Sequence, residues 1–426
     1  MTTLSTTVFR KKRLILWMAI PCLVLSGCNT GPTAQQTPGP TPTTAPQSSQ
    51  GPTGTPTPTA TSSSDSSDSS DSSETSEPSG AQALLDRMTM KDKIGQVLMA
   101  GFPATGSSAQ DRQAITGNSL GNVFLKGRST AGIQATKAAV DRVERSIAQG
   151  HSVDVAPWIA TDQEGGLVQV LKGPGFEPMP SGKLQGSWAP AKLEDNATRW
   201  GEELKAAGIN VNLAPVADTV PSAAFAPSNA PIGYFGREFG FTPQAVSDSV
   251  EAFSRGMLAS GVEPVVKHFP GLGRVTKNTD VAKNVTDTRT TRNDPYLEPF
   301  RDAIDAGNQW VMVSNAYYSK IDPLNIAPFS DTIMRGMLRE DLGFTGVIIS
   351  DDMCDATQLS PWSLGTRAIN FFESGGTMLL CVESSKTATM AQALYAKASK
   401  DPAFAQLIDA AALKVLESKD RKLPNG

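Results

Sequence analysis

The residues able to do chemistry fall into a few short clusters. Asp162 and Glu164 stand two apart in Asp162-Gln163-Glu164-Gly165-Gly166, Lys267 and His268 are adjacent, and Asp351-Asp352 follow the apolar run Val347-Ile348-Ile349. Carboxylates of this kind accept hydrogen bonds from hydroxyl groups, attack electrophilic carbon or carry protons. Lys267, His268 and Arg237 supply donors that hold hydroxyls and complement negative charge. Side-chain parity on a strand turns Asp162 and Glu164 to one side and separates Asp351 from Asp352. Only one of the latter pair can therefore line a pocket, and Asp352 is expected to cap a helix or form an ion pair. The chain has 2 histidines, His151 and His268. That excludes a multi-histidine metal centre and restricts which groups carry protons near neutral pH, so neither a metal nor an organic cofactor is implied. A net charge of −4 without a basic stripe argues against a nucleic-acid partner.

These residues need a scaffold that brings distant segments together. From residue 81 onward, β-like runs at 95–102, 120–126, 156–162, 209–215, 263–269, 310–315, 346–351 and 377–382 are short, apolar and rich in Val, Ile or Leu. Such runs suit parallel strands buried on both faces. Helical stretches lie between them, for example at 130–148, 195–207, 243–260, 331–342 and 363–373, with glycine stops at Gly208, Gly261, Gly343 and Gly375. A short helix is expected at 84–92 and a last one near 404–417. The polar residues Asp162, Asp218, Lys267, His268, Asn315 and Asp351 gather at strand C-terminal ends, as on the catalytic face of a barrel. The expected fold class is therefore α/β, a single (β/α)8 TIM barrel over residues 81–426. No internal repeat is visible, and no Gly-x-Gly-x-x-Gly follows the first strand.

The run Lys267-His268-Phe269-Pro270-Gly271 resembles the Lys-His-Phe-Pro-Gly signature of glycoside hydrolase family 3. Asp162-Gln163-Glu164-Gly165-Gly166 resembles that family's third-strand motif, Ile232-Gly233 with Gly236-Arg237-Glu238-Phe239 its arginine loop, and Ile349-Ser350-Asp351-Asp352-Met353 its nucleophile strand. Order and spacing match over about residues 85–400. The resemblance, to the β-N-acetylglucosaminidase branch, implies a retaining exo-acting β-N-acetylhexosaminidase on cell-wall fragments or related β-glycosides. It implies that Asp351 is the nucleophile and that Asp162, Arg237, Lys267 and His268 bind the non-reducing sugar. Glu164 is read either as a further sugar ligand or as a strut for the glycine turn, and Asp218 as structural.

The sequence departs from that branch where it matters most. An Asp-Ser-His run is expected after the fifth strand, its histidine serving as acid/base; here the stretch is Asn278-Thr279-Asp280. Leu167 stands where the branch usually has arginine, and Asn315 where a histidine is common. Three readings follow. Asp280 is the acid/base, its carboxyl raised by burial or by Asp351; another loop carboxylate enters with substrate; or the protein is a non-catalytic or weakly active wall-sugar-binding lipoprotein. A β-glucosidase of the same family is a further alternative, disfavoured because those enzymes usually add a second domain after the barrel.

The N-terminus reads as an address. Arg10-Lys11-Lys12-Arg13 precedes an apolar run of about 12 residues, the length of a signal-peptide core and too short to span a bilayer. Leu25-Ser26-Gly27-Cys28 resembles a lipobox, which implies a lipoprotein signal peptide over 1–27, lipidation of Cys28 and anchoring to the outer face of the bacterial cell membrane; separately, a monomer is expected. Residues 28–80, rich in Pro, Thr, Ser and Asp, are expected to be a disordered linker. Cys354 and Cys381 are expected as two buried thiols, with a disulfide open to them in an oxidising compartment.

Overall fold

The computed structural model describes residues 80–421; the expected signal peptide, Cys28 and the linker through residue 79 lie outside the described residues. Within them the chain is an α/β fold built on parallel pairing. The principal strands are β1 (Leu98–Pro103), β2 (Asn122–Lys126), β3 (Trp158–Thr161), β4 (Val211–Asn212), β5 (in two pieces, Glu263–Pro264 and Val266–Phe269), β6 (Trp310–Val313), β7 (Val347–Ser350) and β8 (Leu379–Cys381). Each pairs in parallel with the next, from β1–β2 round to β6–β7. A parallel bridge between Ile349 and Met378 joins β7 to the residue preceding β8, and β8 pairs with β1. The circuit is TIM-barrel-like, as the alternation of apolar runs and amphipathic helices predicts.

Period-2 alternation decides what lies inside. Met99, Phe124, Trp158, Ala160, Val211, Leu213, Val265, Trp310, Met312, Val347, Ile349, Met378 and Leu380 form one buried cluster within the ring. The intervening residues, such as Leu98, Val123, Ile159, Val266, Val311 and Ile348, join the larger core shared with the surrounding helices. Inward positions therefore run Trp158, Ala160, then Asp162; Val265, then Lys267; Val347, Ile349, then Asp351. The polar site residues occupy the next inward step above an apolar interior. At the opposite end the C-terminal helix Pro402–Asp420 stops the ring: Val415 joins the interior cluster, Trp158 Nε1 donates to Ser418 Oγ at 3.2 Å, and Lys419 Nζ donates to Gln96 Oε1 at 2.7 Å. Trp158 and Trp310 meet edge to face there, their centroids 5.6 Å apart.

Three local expectations change. The helix expected at 84–92 is two helices, Gly80–Arg87 and Met90–Gln96. Thr89 interrupts it as an N-cap: its side chain accepts from Asp92 N while the Asp92 carboxylate accepts from Thr89 N, a reciprocal capping box that starts a new helix. For the same reason Gly95 and Gln96 belong to that helix, and β1 begins at Leu98. Finally, Cys354 and Cys381 are not two thiols but a disulfide, their Cα atoms 5.0 Å apart. Cys354 lies in the segment after β7 and Cys381 ends β8, so neighbouring strands deliver the two side chains to bonding distance.

Candidate active site

The strand ends and loops on one side of the ring enclose a cavity of about 480 Å3, within the range of small-ligand sites. Asp162, Arg237, Lys267, His268, Asp280 and Asp351 all line it. Phe124, Leu213, Met312 and Leu380, from the top of the barrel interior, give it apolar wall.

A buried charge cluster organises one side. Lys267 Nζ lies 2.8 Å from Asp162 Oδ1 and 2.6 Å from Glu164 Oε1, so the shared facing of Asp162 and Glu164 is used to grip one ammonium. Arg237 clasps the same Glu164 through Nε–H to Oε2 at 2.8 Å and Nη2–H to Oε1 at 2.7 Å, and its Nη1–H donates to Pro231 O at 2.8 Å. Glu164 is thus the hub between two cations and is absent from the cavity lining, which favours its reading as a strut. Burial works against its charge, yet Arg237 and Lys267 overcome that and hold its carboxyl down at about 2. Burial likewise opposes the charge of Lys267, which is 2% exposed, but Asp162 and Glu164 keep its ammonium above the ordinary lysine value. Two close approaches shape this corner. Gly165 has φ +105, and a Cβ on it would meet Pro180 O at 2.1 Å; a Cβ on Gly182 would meet Arg237 O at 2.3 Å. Glycine is required at the first for conformation and at the second so that the arginine loop can approach.

His268 is fixed from behind by Asp218, which is fully buried. His268 Nδ1–H donates to Asp218 Oδ2 at 2.7 Å, while Asp218 Oδ1 accepts from His268 N at 3.2 Å and Leu272 N at 2.6 Å. Arg237 Nη2 lies 3.5 Å from the other ring nitrogen, Nε2. Asp218 is structural, as expected, and its structural task is to aim a cavity residue.

On the other side Asp351 follows β7 on the inward parity. Its backbone N–H donates to Val313 O at 3.0 Å, and its Oδ1 accepts from Asp352 N at 2.7 Å. Burial pushes its carboxyl up to about 6; the Asp280 charge adds to the rise, and His268 opposes it. Asp352 is structural but caps no helix: its carboxylate accepts from the backbone N–H groups of Cys354, Asp355, Ala356 and Val382 at 2.7–3.1 Å, and it borders the cavity beside Asp351, so the expectation that only one of the pair lines the pocket does not hold. Asp280 is not buried, as one of its expected sources of a raised carboxyl required, but lies on an exposed turn in which Asp280 N donates to Asn278 Oδ1 at 2.9 Å. Asn315 is fully buried and donates to Asp352 O at 2.9 Å, bracing the segment after β7 from the end of β6. Among the described residues no group of three or more His, Cys, Asp and Glu is arranged to hold a metal ion.

Sequence reasoning did not single out Arg128, Phe235, Asp355 or Gln358. Arg128 and Asp355 line the cavity from loops and Phe235 from the one-turn 3-10 helix Gly233–Phe235, segments too short or irregular to carry a periodic signal of side-chain direction. Arg128 donates to Leu167 O at 2.7 Å and so steadies the turn in which leucine replaces the expected arginine.

An ionised acid beneath a cavity, a second carboxylate acting on it electrostatically, and a facing set of fixed donors and acceptors can support displacement at a sugar carbon. Residues 89–418 match the family described as "Glycosyl hydrolase family 3 N terminal domain". A beta-hexosaminidase from Nitrosomonas eutropha is 32% identical over 66% of this chain and 79% of its own length. The crystal structure of a beta-N-acetylhexosaminidase from Beutenbergia cavernae superimposes with a TM-score of 0.76 at 47% identity, covering 78% of this chain and 99% of that one. A family 3 beta-N-acetylglucosaminidase from Paenibacillus sp. str. FPU-7 gives a TM-score of 0.69 at 26% identity, covering 79% and 64%.

Proposed function

This chain belongs to glycosyl hydrolase family 3, and from that premise we propose a retaining, exo-acting β-N-acetylhexosaminidase reaction on cell-wall fragments or related β-glycosides. The protein is a glycosidase that hydrolyses O-glycosyl bonds, with a carbohydrate as its substrate. The observation that carries the finer reading is the sharing of one cavity by Asp162, Arg237, Lys267, His268, Asp280 and Asp351.

In this reading Asp162, Lys267, His268 and Arg237 bind the hydroxyls of the terminal sugar, through charge-assisted hydrogen bonds whose geometry Glu164 and Asp218 set in advance. The Asp351 carboxylate attacks the anomeric carbon as the bond to the leaving oxygen breaks. Asp280 delivers the proton that this oxygen takes. A glycosyl ester on Asp351 results; Asp280, now ionised, takes a proton from water, which attacks the anomeric carbon and frees Asp351. A neutral carboxylic acid is the usual donor in glycosidases, so aspartate in place of the family branch's histidine is chemically sufficient. The Asp280 charge also raises the Asp351 carboxyl, so the two groups are close enough to act on one another.

The test uses aryl N-acetyl-β-glucosaminides and the matching glucosides. Asp351→Ala is expected to abolish turnover. Asp280→Ala is expected to retain partial activity on a substrate with an activated leaving group, and azide is expected to accelerate it by replacing water in the second step. A wild-type-like Asp280→Ala rejects the acid/base assignment; sugar binding without product release by the parent protein favours the non-catalytic reading.

We also propose that the chain is a monomer tethered by a lipid on Cys28, with residues 29–79 as the spacer. Lipobox-like sequence ahead of Cys28 motivates this. Metabolic labelling with an alkyne palmitate, compared with Cys28→Ala, tests it; equal labelling of both rejects it.

A further inference from the structure

We infer that Gln358 is a positioning residue which locks the Asp280 turn onto the segment carrying Asp351, and so sets the two carboxylates in register; this rests on the reading of Asp280 as proton donor. Asp280 itself is exposed on a turn, and its own local support is the short-range bond to Asn278. Its placement must come from what the turn is attached to.

The attachment is specific. Residues 279–280 run beside residues 357–358, with Gln358 N donating to Thr279 O and Thr357 N to Asp280 O, both at 3.0 Å. The Gln358 side chain then takes the far end of the same loop: its Oε1 accepts from Val285 N at 3.0 Å and its Nε2 donates to Val285 O at 3.2 Å. One residue thereby fixes the loop at both ends of the stretch 279–285. Gln358 is 2% exposed and does not line the cavity. Buried amide pairs of this geometry are costly to break, since each group left unpaired loses its solvation as well.

The other half of the clamp is rigid by construction. The segment from Asp351 to Gln358 is held by the four backbone donors on the Asp352 carboxylate. The Arg367 guanidinium donates to Met353 O and Cys354 O, both at 2.9 Å, and the disulfide ties Cys354 to the end of β8. Nucleophile and donor therefore share one mount, and Gln358 is the joint between them. The influence of the Asp280 charge on Asp351 is consistent with this closeness.

The experiment compares Gln358→Met, which keeps side-chain volume but removes both amide bonds, with Gln358→Ala, Asp280→Ala and the double variant Asp280→Ala/Gln358→Met. Each is assayed on two N-acetyl-β-glucosaminides, one with a dinitrophenyl and one with an alkyl leaving group. Loss of register costs part of the ~10²–10⁴-fold that acid catalysis supplies, so kcat/KM for Gln358→Met should fall about ten-fold or more on the alkyl substrate. On the dinitrophenyl substrate kcat/KM should change little, because that leaving oxygen needs no proton, whereas kcat should fall with the slowed second step and recover with azide. In the Asp280→Ala background the Gln358 change should add nothing, since the group it positions is gone. Equal losses on both substrates, or full additivity in the double variant, overturn the inference. A wild-type-like Asp280→Ala sinks the donor reading beneath it. A disabled Asp280→Ala beside a wild-type-like Gln358→Met removes the positioning role alone. Should Gln358→Ala fail to fold, the volume-preserving Gln358→Met still decides the question.

Discussion

Replacing Cys354 and Cys381 together by serine separates what the disulfide does for stability from what Asp352 does for the active-site geometry. The two cysteines are 27 residues apart. Closing a loop of that size in the unfolded chain removes about 12 cal/mol/K of entropy, or roughly 3.5 kcal/mol at 25 °C in the chain-entropy account. The folded unit has about 340 residues, and at about 2.1 cal/mol/K per residue its unfolding entropy is roughly 0.7 kcal/mol/K. The two figures together predict a fall in Tm of about 5 °C. Native geometry should survive, because Asp352 bridges the same two segments without the sulfurs: its carboxylate accepts from Cys354 N and from Val382 N, at 2.9 and 3.0 Å. Calorimetry of the wild type with and without reductant, alongside the double variant, measures the first effect; initial rates at 25 °C measure the second. Reduced wild type and the variant should melt together, below the oxidised protein, with kcat within about two-fold of it. A Tm indifferent to reductant, or activity lost at 25 °C while the fold persists, would refute this division of labour.

Other consequences concern charge. The nucleophile must be ionised, so kcat/KM should decline as pH falls through about 6, the value to which burial and then Asp280 raise Asp351; Asp280→Asn should move that acidic limb downward, and a limb near 4 in the wild type would contradict the assignment. Glu164→Gln leaves Lys267 and Arg237 without the charge that joins them and should destabilise the fold by about 3 kcal/mol at pH 7. Glu164 falls from 4.5 to about 2 on folding, so its contribution is present above the unfolded value and is lost as pH drops from about 4.5 to 2. Denaturant midpoints for wild type and variant should converge over that interval, and a constant gap would count against the charge cluster as its source.

Much of the fold and of the site is legible in the residues alone. Apolar runs with period-2 parity announce the strands, and the same parity carries Asp162, Lys267 and Asp351 inward as the next step above Ala160, Val265 and Ile349. Parity does not separate Asp351 from Asp352 past the strand end at Ser350: both border the cavity, although the Asp352 carboxylate is taken up by backbone N–H groups. Motif order identifies the family, because each motif is a local property of a few consecutive residues. The split helix at Thr89 is equally local: Thr89 and Asp92 carry its capping box in plain sequence, although apolar spacing by itself reads straight through it.

What tertiary structure alone decided involves partners distant along the chain. The cation clasped by Glu164 is 73 residues away, the ammonium on Asp162 is 105 away, and the amide holding Val285 is 73 away. No periodicity relates such residues, and Glu164 could serve a sugar or a strut until Arg237 and Lys267 were seen to fill its lone pairs. The pairing of Cys354 with Cys381 belongs to the same class, since it depends on neighbouring strands delivering both sulfurs to one point. Side-chain direction along a strand is fixed by the backbone's own geometry; which partner that side chain meets is fixed only when the ring closes.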